Sequence, residues 1–388
     1  MDKHTTAYIF NPEHDQAFGS AQAYYTAPAN AVRLGRDLQL LPALYAEDGS
    51  FIVTSDIEMD KEWMDAISGK LRLSCRLTSS AHLSKQVDYI SPWGWDRPLK
   101  NRLLHDGVRS DILPSTAAIE RIRQVSHRRS SITIHNSLSS GIAITECHTL
   151  DEVQSFLKGD NAIYIKSPWS SSGQGVFKVT DEDLHGAVAK RISGIIQKQG
   201  SVLCEPALEK VLDFAMEFRI TKGKVSFVGY SVFYNDSRCS YDYGLVADRE
   251  TLESIILKLY PNRSHLIEVR TQLQRILGEL IGDCYEGYLG VDMMLYRDAC
   301  NKSCLNPCVE LNLRMTMGCL TSIMGERFVP KGTVAKYYVR YFKTPYALKA
   351  FADGFMPYST QNGQLLSGTL PLTPIYDDTK YIAYLSMT

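Results

Sequence analysis

The chain has 388 residues, 44% of them hydrophobic and 22% charged, an ordinary globular composition with room for two or three core-bearing lobes of about 100 to 150 residues each. Its 42 Lys and Arg nearly balance 43 Asp and Glu, leaving a formal net charge of -1 and no basic footprint for nucleic acid or a membrane surface. No apolar run reaches the ~20 residues of a membrane span, and the nine cysteines are odd in number, scattered and not preceded by a secretory leader. A cytoplasmic protein with small-molecule partners is expected, and its oligomeric state is left open.

In chain order, short strand signals at 7–10, 51–54 and 87–90 alternate with a helical patch over 31–41, so residues 1–114 read as an α/β domain. Asn11-Pro12-Glu13-His14-Asp15 follows the opening strand. Hydrogen-bonding side chains at the carboxyl end of a strand stand where α/β lobes bind ligands. A turn with satisfied polar groups is the competing reading, and His14 has no second histidine at metal-ligand spacing. In Ser91-Pro92-Trp93-Gly94-Trp95-Asp96 the paired tryptophans read as packing between lobes rather than as a stacking surface.

A helix is expected over 115–125, and Thr149-Leu150-Asp151-Glu152 forms a capping box that opens a short helix to Lys158. The strand over 162–166 ends on Lys166. The chain then turns through Ser167-Pro168-Trp169-Ser170-Ser171-Ser172-Gly173-Gln174-Gly175 and re-enters a strand over 176–179. Small residues at a hairpin tip let backbone N–H groups approach phosphate oxygens, although the loop lacks the ending and the helix of a P-loop. Residues 180–183 are expected to cap a helix running to about 199, with 202–204 a strand and Glu205-Pro206-Ala207-Leu208 a bend. Strands over 214–220 and 225–230 pair across Thr221-Lys222-Gly223-Lys224, and Tyr241, Asp242 and Tyr243 fall in a loop. Helices over 251–259 and 264–281 precede a strand over 290–295 that carries Asp292. Cys300, Cys304 and Cys308 lack both CxxC spacing and a histidine partner and read as hairpin cysteines. Beyond Pro330 an Arg- and Tyr-bearing helix leads to a β tail over 364–372.

The densest chemistry lies in Cys308-Val309-Glu310-Leu311-Asn312-Leu313-Arg314. Strand alternation puts Glu310, Asn312 and Arg314 on one side, and a carboxylate with an amide oxygen suits Mg²⁺ better than zinc. Asp292, one hairpin earlier, supplies a second carboxylate. Lys166 ends its strand where an ammonium could meet phosphates.

The order strand-Lys, Ser/Gly hairpin, helix, strand-Glu-Pro, acidic residue, Asp strand and Glu-x-Asn-x-Arg resembles the ATP-grasp superfamily over about residues 125–325. The Asn-Pro-Glu-His-Asp stretch resembles the start of a group of bacterial ATP-grasp proteins. The resemblance implies an α/β (α+β) fold with two lobes gripping a nucleotide: an N-terminal domain (1–114), a first lobe with the lid loop (115–203), a second lobe with the metal site (204–330) and a tail on the core (331–388). It implies ATP and Mg²⁺ (or Mn²⁺) as cofactors. Lys166 would meet the phosphates, Ser170, Ser171, Ser172, Gly173 and Gly175 would form the lid, and Glu205, Ala207 and Leu208 would edge the adenine. Asp213, with Glu209 competing, would hold the ribose. Asp292, Glu310 and Asn312 would hold the metal, and Arg314 would face the transferred phosphate with Lys166.

An earlier phosphate lysine of the superfamily is replaced by Ser126-His127-Arg128-Arg129, so Arg128 or Arg129 would take its place. Asn11, Glu13, His14, Asp15, Arg219 and Arg314, with Tyr241 to Tyr243 as weaker candidates, are expected on the acceptor side; an ion pair between Arg219 and Glu217 is the alternative for that arginine. The implied activity is a carboxylate-amine ligase working through an acyl-phosphate. A kinase acting on a hydroxyl and a nucleotide-binding module without turnover are the alternatives.

Overall fold

The computed structural model describes residues 5–20, 22–85, 87–158, 162–170, 175–236 and 240–387. The chain opens with a parallel sheet of β1 (Thr6–Ile9), β2 (Phe51–Val53), β3 (Arg76–Thr78) and β4 (Tyr89–Pro92), in the order β3-β2-β1-β4. Helices α1 (His14–Ser20), α2 (Ala29–Asp37), α3 (Ile57–Leu71) and α4 (Arg97–His105) alternate with these strands. Because β1 pairs with both β2 and β4, the strand order reverses at its carboxyl end, which is the crevice where such sheets bind ligands. Residues 11–15 and 93–96 meet there: Asn11 donates to the Gly94 carbonyl at 2.7 Å and accepts the Gly94 N–H at 3.2 Å.

The next unit carries α5 (Thr116–Val125), α6 (Ser130–Leu138), β5 (Thr145–Cys147), α7 (Leu150–Leu157), β6 (Ile163–Lys166), β7 (Val176–Val179), α8 (Gly186–Gln199) and β8 (Val202–Pro206). Its strands form an antiparallel sheet in the order β5-β8-β6-β7. Ser115 and Thr149 cap α5 and α7, accepting N–H groups of Ala118 and Glu152 at 3.0 and 3.2 Å. Two local expectations are corrected. Residues 180–183 close a separate capped 3-10 turn, and α8 starts only after the extended residue His185. β8 also runs on through Glu205-Pro206, because Pro206 pairs with Ile163 at the strand end, where a missing N–H is tolerated.

The remaining strands are β9 (Glu209–Thr221), β10 (Lys224–Asn235), β11 (Tyr241–Val246), β12 (Gly287–Arg297), β13 (Ser303–Asn312), β14 (Ala335–Tyr341), β15 (Ser359–Gln361), β16 (Gln364–Pro371) and β17 (Tyr381–Met387). They join in one sheet ordered β13-β12-β9-β10-β11-β14-β17-β16-β15, with α9 (Arg249–Leu259), α10 (Arg263–Ile281), α11 (Met317–Phe328) and α12 (Pro345–Ala352). Tyr241 to Tyr243 therefore lie on a strand, not in a loop. Residues 335–341 are likewise a strand and not the expected helix, since Ala335 and Tyr337 are buried on either side of exposed Lys336 and the segment pairs with β11 and β17. The segment after 331 thus builds the sheet itself.

Alternation along β9 divides the faces of this sheet. Leu212, Phe214, Met216, Phe218 and Ile220 pack in one core with Leu252, Ile256, Leu266, Leu273 and Leu277 of α9 and α10. Asp213, Ala215, Glu217 and Arg219 point to the opposite face. Their cross-strand partners, Met294, Asp292, Gly290 and Tyr288, share that side.

Candidate active site

Asp292 on β12 stands directly opposite Glu310 on β13, and Gly290 opposite Asn312. Just beyond this pair the register slips, five residues of β13 (306–310) spanning what three of β12 (292–294) span. Pro307, without an N–H, sits in the resulting bulge, a device that re-aims side chains next to functional sites. Asn312 Nδ2 donates to Asp292 Oδ2 at 3.1 Å, and Arg314 Nη2 donates to Asn312 Oδ1 at 3.0 Å. Asp292, Asn312 and Arg314 thus form one connected group, with Glu310 beside Asp292 on the same face. Burial, then the neighbouring Glu310 and Glu217, push the Asp292 carboxyl well above the usual carboxylate range. A cation beside it would relieve that repulsion. Cys300 occupies the β12–β13 turn, and Cys304 and Cys308 lie on β13.

Among the described residues no cluster of three or more His, Cys, Asp and Glu is arranged to hold a metal ion. The set here is two carboxylates and an amide, hard oxygen donors of the kind that suit Mg²⁺. Glu310 is meanwhile held by Arg128, whose Nη2 lies 2.9 Å from Oε1. The other amino group, Nη1, donates to the Ser167 carbonyl and to Ser170 Oγ, both at 2.7 Å. Arg128 is buried, whereas Arg129 is half exposed and reaches Glu146 at 3.8 Å. The arginine facing inward is Arg128, in the turn between α5 and α6.

Lys166 at the end of β6 pairs with Glu205 of β8 at 2.5 Å and donates to the Val309 carbonyl at 3.2 Å, joining the two sheets. The Ser/Gly hairpin is closed at its base by Ser167 N–H on the Gly175 carbonyl, 2.9 Å. Gly175 has φ +78°, and a Cβ there would come 2.5 Å from Ser167 Oγ, so only glycine fits. Trp169 anchors the stem through its indole N–H on the Arg123 carbonyl, 3.0 Å. Ser171, Ser172 and Gly173 lie outside the described residues.

Farther along the same face, Asp213 Oδ2 accepts Lys210 at 2.7 Å and Asn235 at 2.9 Å. Glu209 is exposed at the start of β9. The Ala207 and Leu208 N–H groups donate to the Ala162 and Pro206 carbonyls at 3.0 and 3.1 Å. Arg219 does not pair with Glu217; its partner is Glu47 at 2.8 Å, with Tyr288 beneath the guanidinium.

From sequence, Glu217 stands out only as an alternative partner for Arg219. It is fully enclosed and accepts Ser231 Oγ (2.7 Å), Cys319 Sγ (3.0 Å) and Thr316 Oγ1 (3.2 Å), while burial pushes its carboxyl upward. A lone acid inside Phe214-Ala215-Met216-Glu217-Phe218 was the available signal, since an unpaired charge is costly to bury.

On the N-terminal side, Asp15 accepts Arg314 Nε and Nη2 at 2.9 and 2.8 Å. Burial alone would raise the Asp15 carboxyl; Arg314 and nearby cations prevail and hold it below the usual range. Glu13 lies partly exposed in the crevice, its carboxyl raised chiefly by burial. Asn11 and His14 are buried, each 1% exposed. Trp93 and Trp95 are buried too, Trp93 packing edge-on against Phe10 with centroids 4.9 Å apart. They pack rather than line an open surface.

Two sheets facing each other across a carboxylate pair, with a lysine and an arginine between them and an α/β domain in front, constitute the ATP-grasp fold. Solved structures of similar fold bear this out over nearly the whole chain. Biotin carboxylase from Campylobacter jejuni, in a β-γ-ATP complex, superposes with a TM-score of 0.54 at 12% identity, covering 99% of this chain and 87% of that one. The biotin carboxylase domain of Hydrogenobacter thermophilus 2-oxoglutarate carboxylase, with MgADP, ADP and bicarbonate, gives 0.52 at 12% identity, covering 100% and 87%. N5-carboxyaminoimidazole synthetase from Staphylococcus aureus, complexed with ADP, gives 0.50 at 11% identity, covering 99% and 93%. No protein-family model matches the sequence, and no curated protein is similar to it in sequence.

Proposed function

We propose that the protein is an ATP- and Mg²⁺-dependent ligase that activates a small carboxylate as an acyl-phosphate and couples it to an amine, releasing ADP and phosphate. The observation that carries this reading is the Asp292–Glu310 pair on adjacent strands, extended by Asn312 and Arg314 on the same face. In this reading Asp292, Glu310 and Asn312 would hold Mg²⁺, and the ion would supply charge neutralisation for phosphoryl transfer. Lys166 and Arg128 bind phosphates, Ser170 and Gly175 belong to a lid that excludes water, and Asp213 takes the ribose hydroxyls. Glu205 lies beside the adenine together with the Ala207–Leu208 backbone, whose carbonyls remain to meet it.

Arg314 faces the transferring phosphate. The acceptor carboxylate oxygen bonds to Pγ as the Pγ–O bond to ADP breaks; the amine nitrogen then attacks the acyl carbon, phosphate leaves and the amine gives up a proton. Glu13 and Asp15 stand on the acceptor side of Arg314, and holding both reactants there can supply about 7 to 11 kcal/mol of avoided entropy. Neighbours that bind ADP, MgADP and bicarbonate support a small-molecule acceptor for this chain also. We place the protein in the cytoplasm on its cysteine usage. No helix among the described residues is long and apolar enough to cross a membrane.

ADP release tests the reading. Release that needs both a carboxylate and an amine establishes the ligase, release with one hydroxyl compound establishes a kinase, and tight ATP binding without release leaves a binding module. Glu310→Gln keeps volume while removing charge from the cation site and should abolish Mg-ATP turnover with the fold intact; normal turnover in this variant would remove the metal assignment.

A further inference from the structure

His14 is an enclosed polar side chain, 1% exposed, that the nucleotide reading leaves unused. Neither ring nitrogen has a hydrogen-bond partner although both are buried, an arrangement that costs free energy unless the groups are used. Each nitrogen nevertheless faces a carboxylate: Nδ1 lies 3.8 Å from Asp96 Oδ2, and Nε2 lies 3.8 Å from Asp15 Oδ1. The ring has no room to turn elsewhere. A Cβ at Gly94 would come within 2.5–2.7 Å of it, and Phe18 packs against it with centroids 4.3 Å apart.

The two carboxylates play different parts. Asp96 is fixed inside the N-terminal domain, capping α4 through Leu99 N–H at 2.7 Å and accepting Asn11 Nδ2 at 3.2 Å. Asp15 points the other way, its Oδ2 on Arg314, so its Oδ1 is the atom left facing His14. The loop that carries Gly94 and Asp96 also grips the segment after Arg314, because Met315 N–H donates to the Trp93 carbonyl at 2.8 Å.

We propose that His14 is a positioning residue for the transfer step: set between the two carboxylates, with one ring nitrogen facing each, it ties Asp15 to the fixed Asp96 and thereby aims the Arg314 guanidinium. The inference rests on Arg314 facing the transferred phosphate. Shortening each 3.8 Å contact by about 1 Å gives hydrogen bonds, and catalytic hydrogen bonds are commonly long before ligand binds and tighten in the complex. Asn-Pro-Glu-His-Asp and Gly-Trp-Asp, far apart in the chain, then act as one clamp on the arginine.

Solvent exchange of the Arg314 Nε proton, followed by ¹⁵N NMR and assigned by its loss in Arg314→Lys, reads this directly. Exchange should be slow in the unaltered protein, about tenfold or more faster in His14→Ala and Asp96→Asn, and slowed again in His14→Ala by added imidazole, which fills the vacated space. In ADP-release assays His14→Ala should lower kcat about ten- to a hundredfold, as a misplacement of about 1 Å does, with KM for Mg-ATP nearly unchanged and imidazole restoring kcat. Unchanged Arg314 exchange in both variants overturns the proposal, as does a loss confined to KM; if His14→Ala does not fold, Asp96→Asn carries the same readouts. Should the unaltered protein release no ADP with any acceptor, the ligase reading falls while the exchange rates still decide the role of His14.

Discussion

Arg128 contacts Glu310, the Ser167 carbonyl and Ser170 at once, so its guanidinium lies beside the carboxylate on which the proposed cation would draw. In the proposed site, metal and Arg128 would compete for Glu310, and the freed guanidinium would turn its charge to phosphate. Arg128→Met should therefore weaken ATP binding while strengthening the binding of Mn²⁺ alone, measured by the loss of the free-ion paramagnetic resonance signal; weaker Mn²⁺ binding would contradict the competition. Lys166 carries a second coupling. In the proposed site Lys166→Met would remove one charged contact to phosphate, about 1.5 to 3 kcal/mol of affinity, and it leaves Glu205 enclosed without its partner at 2.5 Å. Stability should fall as well, and Lys166→Met with Glu205→Gln should recover stability but not ATP affinity by calorimetry.

His127, beside Arg128, is a pH-sensitive residue of a different kind. Burial first, then Arg129, lower its pKa from 6.5 to about 4, against the opposing pull of Glu146. Above the unfolded value both states hold a neutral ring, so no stability is at stake. Between pH 6.5 and about 4 the unfolded chain binds a proton that the folded one refuses, and stability declines toward acid. His127→Gln, which retains an acceptor for the Arg129 N–H now 3.0 Å from Nδ1, should flatten this part of the urea-unfolding profile; an unchanged acid limb would mean that other groups set it.

At the scale of elements, the start of α11 joins fold to site. Thr316 caps the helix by accepting Cys319 N–H at 2.8 Å while its own hydroxyl donates to Glu217 at 3.2 Å. Thr316→Ala should cost about 1 to 2 kcal/mol for the cap and more for the buried carboxyl left short of a donor, whereas Thr316→Ser should keep both contacts; denaturant midpoints distinguish the two. Elements with local signals were legible from sequence. The helical pattern over 115–125 announces α5, the Thr149 capping box announces α7, and the alternation of Glu310, Asn312 and Arg314 gives the facing of β13. What failed depended on partners far away. Residues 335–341 look helical in isolation and become a strand because β11 and β17 flank them. α3 escaped notice because its buried apolar positions are few, Met64, Ile67 and Leu71. The choice of Arg128 over Arg129, and the use of Asp15 on Arg314, follow from how turns of separate elements meet, which spacing alone does not encode.

For the molecule as a whole, the sheet that bears the candidate site continues beyond it through β11, β14, β17, β16 and β15. A chain ending at 331 would bare the β11 edge and uncover Leu320, Met324 and Phe328, which share a core with Tyr337, Leu370 and Leu385. Such a truncation should be insoluble or aggregate, since an unpaired apolar edge recruits other chains; a monodisperse truncated protein in size-exclusion chromatography would show the tail to be dispensable.

The position of β17 between β14 and β16, with Asp37 of α2 accepting the Lys380 and Tyr381 N–H groups at 2.8 and 2.9 Å, sets a timetable for biogenesis. On the ribosome Asp37 of α2 is made 343 residues before Lys380, which leads into the strand that satisfies it. Until then β14 waits with one side bare, so the nascent chain stays open to chaperones until synthesis of residues 381–387 shuts the seam.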